Sequence, residues 1–305
     1  MVSQVVQPAR MFLNQDMQVS MVEPCLQGQV AVFSARCPGK ETANEDSAAV
    51  IEVTPELAVL AVADGLGGGP EGEKASRLAL QTLRREIQAT ITKGLQLRTA
   101  ILNGFEAANQ AVLQSTRGAA TTLAVAEIRE GVFRPYHVGD SVVMLMSNRG
   151  RIKHETISHS PVGYGIESGL LDKDQALYHE ERHLVSNVVG SDEMRIEVGP
   201  EVALASRDTV LIASDGLVDN LTASEITERV RKGDLAQGIG RLATDAHQLM
   251  KAKIEDHPSK PDDLTVVLFR PSALPLQIEE FEKETVDYDG AGGETPSSES
   301  VTDPS

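Results

Sequence analysis

Carboxylates beside glycine, or at the edges of apolar runs, recur along this chain at intervals too wide for one helix or one loop. Asp46 closes Asn44-Glu45-Asp46 just ahead of the run Ser47–Val53. Asp64 ends Leu57–Ala63 and is followed by Gly65; Asp215 ends Thr209–Ser214 and is followed by Gly216. Asp140 sits in Val138-Gly139-Asp140-Ser141, and Asp262-Asp263 open Leu264-Thr265-Val266-Val267. Strand-end carboxylates from one core sheet can meet at one edge of it, and carboxylates that meet cannot all stay ionised without a cation. Oxygen ligands with no Cys or His in the pattern suit a hard ion, Mg²⁺ or Mn²⁺. A carboxylate shared by two such ions about 3.5–4 Å apart clamps a water or hydroxide against a phosphorus centre. The chemistry this implies is metal-assisted hydrolysis of a phosphoester. Taken singly, each Asp is an ordinary strand-end or turn residue; the joint arrangement carries the inference.

The elements that must position these groups can be read from hydrophobic period. Gln27–Ala35, Ser47–Val53 and Leu57–Ala63 read as strands, the last with the uninterrupted apolar character of a strand buried on both faces. Glu71–Thr90 and a second segment carrying Leu97, Ile101, Phe105, Ala108 and Val112 have helical spacing, with Gly94 between them. Strands return at Thr121–Ile128, Val132–Val138 and Ser141–Ser147, with Gly131 and Gly139 at the turns. Residues 149–200 lack a period and read as an irregular insertion with a short helix near Asp172–His179. Thr209–Ser214 is a strand, helices follow at about 223–231 and 234–253, and Leu264–Phe269 is the last strand. Antiparallel runs of strands separated by helix pairs predict two sheets packed face to face with helices outside.

Composition narrows the function classes. The 305 residues, 41% hydrophobic, suffice for a sizeable core. A net charge of −17 argues against nucleic acid or an anionic membrane as partner. Nine acidic residues against Lys283 lie between 272 and 305, a net of −8, and the rest of the chain carries the remaining −9; that segment reads as an acidic disordered tail. No apolar run is long enough to span a bilayer, Met1–Ser20 has no apolar h-region, and Cys25 and Cys37 make no disulfide framework, so the expected setting is cytoplasmic. A phosphate-cradling P-loop fails after Gly67, because Gly72 is followed by Glu73 before Lys74 and Ala75. His179 and His183, four apart, lack a third zinc ligand.

Six motifs in order, Asn44-Glu45-Asp46, Val62-Ala63-Asp64-Gly65-Leu66-Gly67-Gly68, Gly118-Ala119-Ala120-Thr121-Thr122, Val138-Gly139-Asp140-Ser141, Ala213-Ser214-Asp215-Gly216 and Asp262-Asp263-Leu264-Thr265, make the chain resemble the metal-dependent protein phosphatases, the PPM or type 2C serine/threonine phosphatases, in their bacterial form. The resemblance runs from about Gln27 to Arg270. It implies an α+β fold, a four-layer α-β-β-α sandwich of two antiparallel sheets flanked by helix pairs, over a catalytic domain at 27–271, preceded by a leader or edge segment at 1–26 and followed by the tail at 272–305. It implies two Mg²⁺ or Mn²⁺ ions: Asp64 bridging them, the Gly65 carbonyl on one, Asp215 and Asp262 on the other, Asp46 and Glu45 holding metal-bound waters, and Asp140 with Asp215 supporting a third ion. The implied reaction is attack of a metal-bound hydroxide on phosphoserine or phosphothreonine of a phosphoprotein. That would be a signalling role counteracting a Ser/Thr kinase, with 149–200 in the place of the family's flap; with 3% aromatic residues and no heptads, a monomer is the default expectation.

The chain departs from the family pattern at four places. Glu41 stands near the usual phosphate-binding Arg, with Lys40 beside it and Arg36 farther back, so Lys40 or Arg36 is expected to hold the phosphate, and Lys does so as a point charge. Leu66 replaces the His of many eukaryotic members, Val142 follows Gly139-Asp140-Ser141, and Ser158-His159-Ser160 replaces Asp-His-Ser. Two alternatives follow from the altered anion-binding set: a pseudophosphatase scaffold that binds a phosphoprotein or partner, or a phosphatase for small phosphoesters.

Overall fold

The computed structural model describes residues 9–67, 70–116, 118–129, 131–172, 176, 178–252 and 259–272. β4 (Ser47–Thr54) and β5 (Leu57–Ala63) form a hairpin in which Ser47 faces Ala63 and Val50 faces Leu60. On its other side β5 pairs antiparallel with β8 (Leu123–Arg129), which pairs with β9 (Val132–Val138). β1 (Arg10–Leu13) closes one edge of this sheet, and β12 (Glu197–Val198) and β13 (Val202–Ala203) lie along β9 at the other. The second sheet runs β11 (Ile152–Glu155), β10 (Val142–Met146), β14 (Thr209–Ala213), β15 (Leu264–Pro271), β3 (Gly28–Ala35) and β2 (Met21–Cys25), again antiparallel throughout.

Alternation along each strand divides the core into three layers. In β4 and β5, Ala49, Ile51, Val59, Ala61 and Ala63 face the helices α1 (Pro70–Thr92) and α2 (Leu97–Ser115), where they meet Ala79, Leu83, Ile101 and Phe105. The intervening Ala48, Val50, Ala58, Leu60 and Val62 face the other sheet and meet Val32, Val143, Ile212 and Val267. The outer face of the second sheet packs on α5 (Ala223–Val230) and α6 (Leu235–Lys251) through Ile226, Ile239, Leu242 and Ala246. Both faces of both sheets are therefore covered. This is why the strands read as continuous apolar runs although their ladders are antiparallel. The expected four-layer α-β-β-α sandwich is what the chain forms.

Residues 149–200 are more ordered than their lack of period suggested. Ile152–Glu155 adds an edge strand to the second sheet, and α3 (Pro161–Glu167) starts where Ser160 Oγ accepts the Gly163 N–H and Pro161 supplies a preset first position. A four-residue strand and a seven-residue helix are too short to show a period. The helix expected near 172–179 falls partly outside the described residues, and the acidic tail lies outside them beyond Ser272. Within 1–26, β1 and β2 are edge strands of opposite sheets. Arg10 ties them together, with Glu23 at 2.8 Å and Glu52 at 2.5 Å.

Candidate metal centre

Asp64 follows the last residue of β5, and its backbone is pinned from both sides. Its N–H donates to Thr122 Oγ1 (3.0 Å), and its carbonyl accepts from Thr122 N (2.9 Å) and Thr121 Oγ1 (2.7 Å). Thr122 Oγ1 also shares a hydrogen bond with Ser141 Oγ (2.7 Å). A Cβ on Gly139, whose φ is +107°, would fall 2.6 Å from Thr122 Cγ2. The Thr121-Thr122 and Gly139-Asp140-Ser141 motifs are thus one hydroxyl-lined contact that holds Asp64 and Asp140 at the same place. Gly65 is forced by space: a Cβ there would meet the Gly72 carbonyl oxygen at 2.2 Å.

Asp46 is buried ahead of β4. Its N–H donates to Asn44 Oδ1 (2.8 Å), while Asn44 Nδ2 reaches Gln15 O (2.7 Å) and Ser34 Oγ (3.0 Å). Ser214 Oγ donates to Asp46 Oδ2 (2.7 Å) and accepts the Thr265 N–H (3.0 Å), joining the end of β14 to β4. Asp215 begins α4 (Asp215–Val218) directly after. Asp262 and Asp263 part company: Asp263 is buried and accepts from Cys37 N (2.8 Å), Glu45 N (2.7 Å) and Lys40 Nζ (2.6 Å), while Asp262 stays beside the other carboxylates.

The electrostatics are those of a site short of positive charge. Burial raises the carboxyl of Asp64 well above the usual range, and Asp46, Asp215, Asp262 and Asp140 add to the rise. Burial likewise raises Asp46, with Asp263 adding to it, and pushes Asp140 up to about 8, helped by Asp215 and Asp219. Asp215 and Asp262 rise for the same first reason. Meanwhile Glu45 Oε1, Asp46 Oδ1 and Asp215 Oδ1 are buried without a hydrogen-bond partner. A buried oxygen with no donor is costly unless something cationic supplies the missing interaction. The donor set is all oxygen, which fits a hard divalent ion.

The two basic residues expected at the phosphate are differently placed. Lys40 Nζ is held by Glu45 Oε2 (2.8 Å) and Asp263 Oδ2 (2.6 Å), at the rim of the carboxylates. Arg36 is drawn to Asp16 (2.9 Å) and is well exposed. Two residues not singled out by sequence complete the centre. Lys260 Nζ lies 2.5 Å from Asp215 and 3.1 Å from both Asp219 and Asp262. Asp219 follows Asp215 by four residues, a helical spacing that places two carboxylates one turn apart and was available as a signal. Lys260 lay in a polar turn with no pattern to mark it.

The model of the protein phosphatase 2C family matches residues 35–255. The chain belongs to the protein phosphatase 2C family. It is 29% identical over 219 residues to protein phosphatase PhpP of Streptococcus pneumoniae, covering 68% of this chain and 88% of the relative. Among solved structures, it resembles the serine/threonine phosphatase PstP/Ppp of Mycobacterium tuberculosis with a TM-score of 0.63 at 25% identity, over 83% of this chain and all of that one. It also resembles a PstP catalytic domain in complex with two manganese ions, with a TM-score of 0.61 at 25% identity, over 80% of this chain and 98% of that one.

One buried histidine pair braces this family member's Gly139-Asp140 turn. His159 Nδ1 accepts the Gly139 N–H (3.0 Å), so its proton sits on Nε2, 3.1 Å from Glu197. Its ring stacks on His137 at 4.3 Å. Burial lowers His137 to about 4 from 6.5, helped by His159 and His154, against the Ile157 carbonyl and Glu197. A histidine with a depressed folded pKa stabilises above its unfolded value, and that stability is lost as pH falls through the folded one. His137 is therefore expected to withdraw on the order of 3 kcal/mol between pH 6.5 and 4. Urea melts across that range should show a steeper acid loss for wild type than for His137→Gln, and parallel curves would refute the assignment.

Proposed function

We propose that this protein hydrolyses phosphoserine and phosphothreonine in proteins, at a centre where its carboxylates hold two divalent ions. The observation that carries the proposal is convergence: Asp46, Asp64, Asp140, Asp215 and Asp262 come from five separate stretches and raise one another's proton affinity, beside buried oxygens with no donor. Asp64, whose carboxyl the other four raise, would serve both ions, and the Gly65 carbonyl, Glu45 and Asp46 would serve one of them and its waters. Asp215 and Asp262 would serve the other, and Asp140 with Asp215 a third, weaker position. When bound, such ions supply a Lewis-acid clamp on the phosphoryl oxygens and a water acidic enough to act as nucleophile near neutral pH.

The chain's own residues do the rest. Lys40 has two of its three N–H donors on Glu45 and Asp263, and the remaining one is assigned to the substrate phosphate. Arg36 contributes field rather than contact, because Asp16 holds it. Leu66 beside Gly65 carries no proton, so the leaving serine or threonine oxygen takes its proton from solvent. The catalytic unit is assigned to 27–271, with 149–200 shaping access. No helix among the described residues is long and apolar enough to cross a membrane.

The test is hydrolysis of p-nitrophenyl phosphate and of a phosphothreonine peptide with EDTA, Mg²⁺ or Mn²⁺. Activity with Mn²⁺ or Mg²⁺ at least about 100-fold above EDTA is expected, as is usual when metal ions provide the nucleophile and the charge compensation. A preference for the small ester over the peptide would favour the small-phosphoester alternative. Absence of turnover with metal demonstrably bound would leave the scaffold alternative standing.

A further inference from the structure

We propose that Lys260 is a tethered cation in one of the ion positions of this centre, so that a divalent ion at Asp215, Asp219 and Asp262 must displace its ammonium. The inference rests on the metal-centre assignment above and adds to it what competes for the site. The ammonium has three N–H groups and three carboxylate neighbours, at 2.5 Å, 3.1 Å and 3.1 Å. Lys260 Nζ hydrogen-bonds Asp215 Oδ2, and the two 3.1 Å contacts bring its charge against Asp219 and Asp262.

The lysine is delivered there by its backbone and is not a surface side chain that has strayed. Asn220, fully buried, accepts the Lys260 N–H on Oδ1 (3.0 Å) and donates from Nδ2 to the Lys260 carbonyl (2.8 Å), with a second Nδ2 bond to Gly216 O (3.0 Å). Ser259 is held by Leu249 O (2.7 Å), and Arg182 Nη2 donates to the Ser259 carbonyl (3.2 Å). Pro261 restricts Lys260 to extended backbone. Three separate elements thus fix the residue from which the ammonium extends to the carboxylates.

A single positive charge does not balance this centre. One ammonium faces three carboxyl groups, Asp215, Asp219 and Asp262, and Asp46, Asp64 and Asp140 lie beside them. The protein is therefore expected to hold one divalent ion tightly at the Asp46–Asp64 side and a second only weakly.

Titration calorimetry of the full chain with Mn²⁺, beside Lys260→Met, reads this directly. The variant is expected to gain a second ion, or to tighten the weaker one at least about 10-fold, and to melt lower than wild type in EDTA. Superimposable isotherms would overturn the proposal while leaving the centre intact. Binding of no ion by either protein would overturn the metal-centre assignment itself. Should Lys260→Met fail to fold, wild type alone suffices. The Lys260 ¹⁵Nζ signal, slowed in water exchange in EDTA, is expected to lose that protection as Mg²⁺ saturates; protection retained at saturation would overturn the proposal.

Discussion

Asp64→Asn is expected to reduce metal-dependent turnover by at least about 10³-fold and, in the same protein, to raise the melting temperature measured in EDTA. The first effect follows from removing the assigned bridging charge at a centre where electrostatic stabilisation is the main contribution, a loss at or beyond the upper end of that for one oxyanion-hole donor. The second has the opposite sign and a separate cause. Burial and four neighbouring carboxylates raise the Asp64 carboxyl in the folded chain. A group whose folded pKa lies above its unfolded one destabilises the folded state as pH rises past the unfolded value. Near neutral pH the metal-free chain bears that cost, and Asn, similar in shape and uncharged, removes it. A gain of at least about 2 °C is expected, since each kcal/mol moves the melting point of a domain this size by about 2–4 °C. Turnover with Mn²⁺ at the wild-type level would refute the bridging role. An unchanged metal-free melting point would refute the charge repulsion without touching the first claim.

Gly216→Ala is expected to lower the melting temperature by about 6–12 °C, from roughly 3 kcal/mol of overpacking at 2–4 °C per kcal/mol. The added Cβ would fall 2.0 Å from the Asp263 carbonyl oxygen, which is backbone and has no rotamer to escape into. The clash separates Asp215 from Asp262, so metal affinity should fall with stability. Gly240→Ala, inside α6, meets nothing within 4 Å and should raise stability by up to about 1 kcal/mol through helix propensity. Thermal melts of the two variants side by side provide the control, and two losses of equal size would show that packing at Gly216 is not the cause.

The parts of this fold that could be read from sequence are those with a long period and sharp ends. β5 was delimited at both ends, by Thr54-Pro55-Glu56 on one side and Asp64-Gly65 on the other, and it occupies Leu57–Ala63. The helices carrying Leu83 and Phe105 showed their buried stripes in full. β11 and α3 are too short for periodicity to separate from loop. The carboxylates were legible because five share one local grammar, an Asp at a strand end or turn. Which of Asp262 and Asp263 faces the centre was assigned to Asp262 by the family resemblance and not by any local pattern, because adjacent residues entering a strand point opposite ways and either satisfies the rule. The structure turns Asp263 inward onto Cys37, Lys40 and Glu45. Lys260 was invisible for a different reason: its role arises from the meeting of 259–262 with 215–220 through Asn220, a contact across 40 residues.

Asp46 and Asp64 flank strands of the first sheet, while Asp215 and Asp262 flank strands of the second. The separation between these two groups of oxygens is therefore set by the side chains sandwiched between the layers, among them Leu60, Val62, Val143, Ile212 and Val267. Sheets stacked about 10 Å apart move by tenths of an ångström when one methyl is added or removed, which is the scale on which divalent cations differ in radius. With ions held as proposed, core packing and ion preference would be one property of this molecule. A Val→Ala or Val→Ile exchange deep between the layers, far from any carboxylate, would re-rank small ions against large ones, and the ionic radius best tolerated serves as a ruler for the width of the sandwich.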